Sequence, residues 1–403
     1  MKGLTQRGKE GRLLMGPGPS NVPPRVLRAM SRPLVGHLDP EFVEVMNEIQ
    51  ELLRRVFQTG NSFTIPLSGT GTAGMEASVA NFVEEGESVL IGVNGVFGQR
   101  IAEMVRRHGG ICTVVSAPFG EPLSRKAMLE AAQKCQPSII AVVHAETSTG
   151  VLQPLEPIRE ICDRFDSLLL VDAVTSLGGH PVKVDSWGID ICYSGTQKCL
   201  SCPPGLSPIT LSPKAEAKLK TRTSPCRSWY LDLNLIRSYW GEDRVYHHTA
   251  PISMNYALCE ALNIIVEEGL EERFNRHRQN HKALVAGIEG MGLQMQVDPD
   301  YRLWSLNTVR IPAGVDDGKV RSQLLSQFNL EIGGGLGDLK GKVWRVGLMG
   351  ENSQAQNVLY FLFALENCLR RQGFHCSQGA GVEAATECYN APGSLAASRE
   401  FTA

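Results

Sequence analysis

Two stretches decide the fold. One is Ser167-Leu-Leu-Leu-Val171, which runs into Asp172; the other is Ile189-Asp-Ile-Cys-Tyr193, which runs into Ser194-Gly195-Thr196-Gln197-Lys198. Each opens as a short, mainly apolar run. Such runs, without in-and-out alternation, mark strands buried on both faces, as in parallel sheets. Each then meets a charged residue just past the strand's carboxyl end. Working outward, Ser88–Val93, Ile111–Val115 and Ser138–Val143 read as strands of the same kind. Gln99–His108, Leu123–Lys134 and Ile158–Phe165 have helical spacing and separate most of them. Strands alternating with helices predict βαβ units: an α/β fold with a mainly parallel sheet between helices.

The flanks read differently. Gly16-Pro-Gly-Pro-Ser-Asn21 suits neither helix nor central strand, so residues 1–21 are expected to form an extended arm. Asp39–Phe57 carries apolar residues at helical spacing. Residues 22–255 then form the large domain. Asn255–Ile288 reads as one long or two consecutive helices, followed by a strand (Ser305–Ile311), a helix (Lys319–Phe328), a strand (Lys342–Leu348) and a helix (Gln354–Arg371). This α+β pattern predicts a smaller C-terminal domain over 256–373. Residues 374–403 are rich in Gly, Ala, Ser and Glu without periodicity, and are expected to be a disordered tail.

Composition narrows the function. The chain has 403 residues, Lys+Arg 40 against Asp+Glu 42, a net charge of -2 and 42% hydrophobic residues. That length suits two or three domains. The balanced charge argues against nucleic acid as a partner, and no apolar run is long enough to cross a bilayer. The basic start, Lys2 to Arg12, is not followed by an apolar segment, so a cytoplasmic location is expected. The 11 cysteines, an odd number scattered through apolar runs, fit a reducing compartment. Cys199 and Cys202 have C-x-x-C spacing, but no second pair follows, so no zinc site is expected, and a lone C-x-x-C is only a weak signal for a redox pair. His247 and His248 are adjacent, so their side chains should point apart. No third ligand sits at useful spacing, and no metal is expected.

In open parallel sheets, ligands bind beyond the carboxyl ends of the strands. Asp172 and Lys198 both stand there, on neighbouring units. Alone, Asp172 could be a loop acid or a cap, and Lys198 a solvated surface lysine. A third element changes the weighing. Ser68-Gly69-Thr70-Gly71-Thr72 leads into a helical pattern over Met75–Phe82, and a helix N-terminus approached by small residues suits a phosphate. It is neither a Walker motif nor a dinucleotide fingerprint. A phosphate cradle, an acid and a lysine are what pyridoxal 5′-phosphate requires: an anchor, a partner for the ring nitrogen and an amine for the aldehyde.

These stretches, together with Asn94-Gly-Val-Phe-Gly-Gln-Arg100, His144-Ala-Glu-Thr-Ser-Thr-Gly150, Pro203-Pro-Gly205, Tyr246-His-His-Thr249 and Arg345-Val-Gly-Leu348, resemble the class V aminotransferases of fold type I. The resemblance is closest to the alanine–glyoxylate / serine–pyruvate group and runs in order from about residue 13 to 372. It implies that Lys198 holds the cofactor and moves the proton, and that Asp172 pairs with the ring nitrogen. It implies further that Thr70, Gly71, Thr72 and Gln197 surround the phosphate, that Phe97 stacks on the ring and that Thr147 meets the ring oxygen. Arg345 would grip the substrate carboxylate, a role that arginine's planar fork suits better than lysine. Tyr246 and Thr249 would reach the phosphate of a neighbouring subunit in a homodimer, and the arm at Gly18 would line a small-substrate pocket. Phe97, Thr72 and Thr147 stand where eukaryotic relatives carry Trp, His and Ser.

The implied reaction passes an amino group from alanine or serine to glyoxylate or pyruvate. Ureidoglycine, 2-aminoethylphosphonate or 3-hydroxykynurenine are alternative donors. A cysteine desulfurase or lyase of the same fold is a further alternative, which would need a nucleophilic cysteine; Cys368 and Cys376 are poorly placed for that. A nicotinamide oxidoreductase lacks its fingerprint, and a non-catalytic assembly role fits poorly with every key position filled. Outside these roles, His144 reads as a supporting loop histidine, and Trp229, Tyr230, Trp240 and Phe274 read as core or interface aromatics.

Overall fold

The computed structural model describes residues 11–391, so the outer parts of the expected arm and tail, 1–10 and 392–403, lie outside the described residues. Its centre is a seven-stranded sheet built from β1 (Phe63–Ser68), β2 (Ser88–Val93), β3 (Ile111–Ser116), β4 (Ile139–Val143), β5 (Leu168–Asp172), β6 (Ile191–Tyr193) and β7 (Leu206–Leu211), in the order β1-β7-β6-β5-β4-β2-β3. Only β7 runs antiparallel to its neighbours. The expected strands are all present.

The strands β1 and β7 were not foreseen. Each carries a proline, and Pro66 and Pro208 face each other across the pair. Proline cannot donate to a ladder, so its presence argues against a strand unless the position needs no donor.

Helices cover both faces: α1 (Pro24–Met30), α2 (Pro40–Phe57), α3 (Gly71–Phe82), α4 (Val96–Arg107), α5 (Arg125–Cys135), α6 (Glu156–Phe165), α7 (Pro213–Lys220), α8 (Leu233–Trp240) and α9 (Ile252–Glu268). Successive strand residues point to opposite faces. Leu90, Ile140, Val142, Leu169 and Val171 therefore pack with α2, α5, α6 and α9. Val89, Ile91, Ile139, Ala141, Leu168 and Leu170 pack with α3 and α4 on the other side. Parallel β5 and β6 place Asp172 opposite Tyr193, and β4 places Val143 opposite Asp172. These three residues form a row at the carboxyl edge.

The long helical segment is two helices, α9 and α10 (Leu270–Gly290), broken at Gly269, whose φ of +83° suits glycine. The expected boundary at residue 255 falls inside α9. Since α9 packs on α1 and α2 and its Leu258, Leu262 and Ile265 enter the large core, that helix belongs with the large domain. The second core gathers α10, α11 (Asp317–Phe328) and α12 (Ala355–Arg370) with a three-stranded antiparallel sheet of β8 (Leu306–Arg310), β10 (Val343–Gly347) and β9 (Gly333–Gly334), in that order.

The tail expectation fails in part: Ala380–Asn390 is a helix, α13, that buries Ala385 and Tyr389 against α10 and α12. It packs through small residues. A Cβ on Gly287 would come within 2.7 Å of Gly381 O, and one on Gly290 within 2.8 Å of Ala384 Cβ. A contact made by Gly and Ala leaves no apolar periodicity to read. The arm also does more than extend. Leu13–Leu14 pairs with Leu330–Glu331, Met15 enters the second core, and Ser20 ties back to the lysine loop through Ser20 N–H to Gln197 O, 2.9 Å. Among the described residues, no helix is long and apolar enough to cross a membrane.

Candidate active site

At the carboxyl edge of the sheet, a cavity of about 220 Å³ is lined by Gly71, Thr72, Phe97, Thr147, Asp172, Gln197 and Lys198, with Arg100 and Val174. Larger clefts exist. One of about 690 Å³ borders Trp187 and Asp300, and one of about 490 Å³ borders Asp185 and Glu216. Neither gathers an acid and an amine beyond the strand ends, so chemistry rather than volume picks the site.

Asp172 ends β5 and is buried. Its Oδ1 accepts the Val174 N–H at 2.9 Å and its Oδ2 accepts the Tyr193 O–H at 2.8 Å. Burial pushes its carboxyl up to about 6, against the opposing pull of these donors and of Lys198. Lys198 is 9% exposed, and burial pushes its ammonium down to about 8. Its Nζ donates to Pro17 O. The arm lies directly over it: Ser20 Oγ donates to Lys198 O at 2.9 Å, and a Cβ on Gly18, where φ is +108°, would stand 2.6 Å from Nζ. Only glycine fits there. The arm thus covers the amine, although Pro17, Gly18 and Ser20 are not among the residues that line the cavity.

The phosphate cradle is the start of α3. Thr70 is its N-cap residue, yet its side chain makes no capping bond. N–H groups of the first turn are therefore left for another acceptor. Thr72 and Gln197 line the cavity beside them, and Gln197 Oε1 is buried with no partner among the described residues. Such an orphan calls for a ligand; with the amide turned over, the same position donates to an anion. The residues present therefore fit a phosphate-bearing aldehyde: an uncapped helix start, an orphan amide oxygen, a buried carboxylate and a buried amine that gives up its proton more readily than an ordinary lysine.

Phe97 stands in the first turn of α4 and lines the cavity, with the Arg100 guanidinium 4.8 Å from its ring centre. Glu146, which the sequence reading did not single out, fixes that turn. It is buried and accepts from the Phe97 N–H at 3.1 Å and the Ser148 O–H at 2.6 Å, and burial raises its proton affinity. Thr147 is buried and hydrogen-bonds the Thr175 hydroxyl. Arg345 of β10 donates through Nη1 to Thr147 O at 3.2 Å and through Nε to Gly334 O at 2.7 Å, which points it at the same loop. Burial pushes it down to about 10, leaving it cationic at neutral pH.

Two expected residues stand elsewhere. Tyr246 and Thr249 are exposed, 3.4 Å apart at their hydroxyls, and do not line the cavity of their own chain. The adjacent histidines do not point apart, contrary to the expectation. Loop geometry brings His247 Nδ1 within 2.7 Å of His248 Nδ1, while His248 Nε2 meets Ser68 Oγ and His247 Nε2 meets Trp229 O. Every ring nitrogen is thus engaged within the chain. His144 bonds Ser176 Oγ at 2.9 Å, a supporting place. Cys199 and Cys202 are buried free thiols, Cys368 is buried in α12, and Trp240 and Phe274 are core.

Tyr193 is the other residue missed. The signal was available, since counting both strands from their carboxyl ends sets it beside Asp172.

The family model described as aminotransferase class-V matches residues 12–336. The (S)-ureidoglycine–glyoxylate transaminase of Bacillus subtilis is 41% identical over 96% of this chain and 97% of its own. The alanine–glyoxylate aminotransferase of Felis catus is 42% identical over 89% and 88%. Among solved structures, alanine–glyoxylate aminotransferase from Nostoc sp. superposes with a TM-score of 0.89 at 52% identity, covering 92% of this chain and 98% of that one. Ureidoglycine–glyoxylate aminotransferase from Bacillus subtilis gives 0.94 at 42% identity, covering 96% and 100%. A lysine past β6 and an acid at the end of β5 that line one cavity, with a match of this extent, mean that the chain belongs to the class V aminotransferases, fold type I enzymes that work with pyridoxal 5′-phosphate.

Proposed function

We propose that the enzyme moves an amino group from a small amino acid, alanine or serine, to glyoxylate, with pyruvate as a second acceptor. The carrying observation is the closeness of the arm. With Pro17 O bonded to Lys198 Nζ and no room for a Cβ at Gly18, little volume remains beside the amine for a donor side chain. Glyoxylate also appears in the names of both relatives, which supports it as acceptor.

In this reading the bound cofactor supplies an electron sink for the donor α-carbon. The protein supplies everything else. Lys198 would hold the cofactor and, once freed, would take the proton from the donor α-carbon at Nζ and give it up to the former aldehyde carbon. An amine poised near 8 does this well at neutral pH. Asp172 stays ionised and steadies a protonated ring nitrogen. Thr72, Gln197 and the start of α3 would hold the phosphate, and Phe97 and Thr147, which line the same cavity, would hold the ring. Arg345, held at Nε and Nη1, turns Nη2 toward the substrate carboxylate. Tyr246 and Thr249 act in a partner's site within a homodimer. Their exposure supports this, as does the aromatic surface around them, where Trp229 stacks on His247 at 4.3 Å and His37 meets Tyr246 at 5.0 Å.

A second donor, ureidoglycine, is favoured by the Bacillus subtilis relative's similarity over nearly the whole chain. Steady-state rates with glyoxylate and either alanine, serine or ureidoglycine test the choice. The reading predicts the highest kcat/KM for alanine or serine, and a clear preference for ureidoglycine overturns it.

A further inference from the structure

Asp172 lies in a place that disfavours charge, yet its proposed role needs charge. It is buried, and Glu146, a second buried carboxyl on the loop after β4, adds like charge. Cys192 on β6 is a neutral thiol beside it, and Lys198, past β6, supplies the opposing positive charge. What remains to hold the carboxylate ionised is hydrogen bonding. The Val174 N–H takes Oδ1 and the Tyr193 hydroxyl takes Oδ2, at 2.9 and 2.8 Å. Tyr193 is fully buried, and Asp172 is its hydroxyl's partner. Burial and the neighbouring carboxylate raise the proton affinity of the phenol further, so it remains a donor across the working pH range. The register explains the meeting. Asp172 and Tyr193 are opposed residues on parallel β5 and β6, and opposed residues project from the same face of a sheet.

We propose that Tyr193 is a positioning residue for Asp172, its hydroxyl keeping the carboxylate ionised and turned toward the cavity that Lys198 and Gln197 line. A carboxylate with one fixed donor on each oxygen cannot rotate without losing a charge-assisted bond. The remaining lone pairs stay aimed at one place. The inference rests on the proposed role of Asp172, but it can be read separately from that role.

The first measurement uses the cofactor-free full chain labelled with ¹³C in its aspartate carboxyls. The Asp172 signal is identified by its loss in Asp172→Asn. In Tyr193→Phe the proton affinity of Asp172 should rise about tenfold, the effect of losing one hydrogen bond to a charged group. In otherwise unaltered protein carrying 3-fluorotyrosine, whose hydroxyl donates more strongly, the affinity should fall. An unmoved midpoint in both proteins overturns the proposal, and the fluorinated protein keeps it testable if the phenylalanine variant does not fold.

The second measurement is pyridoxal 5′-phosphate affinity, followed by absorbance. Tyr193→Phe should weaken it about tenfold in the wild-type background and not at all in Asp172→Asn, since the hydroxyl acts through that carboxylate. Equal weakening in both backgrounds makes Tyr193 a packing residue and overturns the proposal. A wild-type chain that takes up no cofactor contradicts the functional reading instead, while the carboxyl titration still reports on Tyr193.

Discussion

Burial drives the two central groups of the site in opposite directions on the pH scale, Asp172 up to about 6 and Lys198 down to about 8. Both shifts cost folding free energy and both serve chemistry, a common trade at active sites. For Asp172 the direction is clear. Its folded carboxyl binds a proton more readily than the ordinary carboxyl at 3.8, so between about 4 and 6 the folded chain holds more proton than the unfolded chain. Stability from this group therefore falls as pH rises through that window, and the whole cost stands above about 6. Asp172→Asn removes the cost. In the cofactor-free protein it should raise unfolding stability at pH 8 by up to about 3 kcal/mol, with the gain shrinking as pH falls toward 4. Urea denaturation at several pH values checks this, and a gain independent of pH would contradict it.

Among the elements, the carboxyl edge of β5 and β6 does most of the positioning, and it was legible because buried parallel strands announce themselves as short apolar runs. Asp172 and Lys198 could be placed from the sequence for that reason alone. What stayed hidden follows from the same physics. β1 and β7 carry Pro66 and Pro208, which read as breaks. The helix α13 meets α10 through Gly and Ala, so it lacks an apolar stripe. Glu146 and Thr175 touch the site through contacts between loops distant in sequence, which no local pattern records. The arm's extended character could be read, while its path over Lys198 came only with the fold. That path yields a prediction. Gly18→Ala forces an alanine into φ of +108° and a Cβ toward Nζ. It should cost about 1–3 kcal/mol of stability and lower kcat/KM about tenfold or more. Thermal unfolding and steady-state rates test both halves; wild-type kinetics would mean that the arm does not confine the amine.

At the scale of the whole molecule, the site as found in one chain lacks two of its expected members. Tyr246 and Thr249 face outward, beside exposed Trp229 and Tyr230. If they complete a partner's site, two inactive chains should rescue each other. A mixed dimer of Lys198→Ala with the double variant Tyr246→Phe, Thr249→Ala contains one site with every residue intact. Activity should then appear on co-refolding and be absent from either parent. No recovery in a mixed dimer of proven composition would put these residues in their own chain's site or in none. The chemistry of the site depends on which nitrogen carries the cofactor, and borohydride reduction of the loaded protein followed by peptide mass mapping answers that most directly. The predicted result is a single pyridoxyl adduct on the peptide that contains Lys198, lost in Lys198→Ala; an adduct at another lysine, or none on protein that has taken up the cofactor, would contradict it.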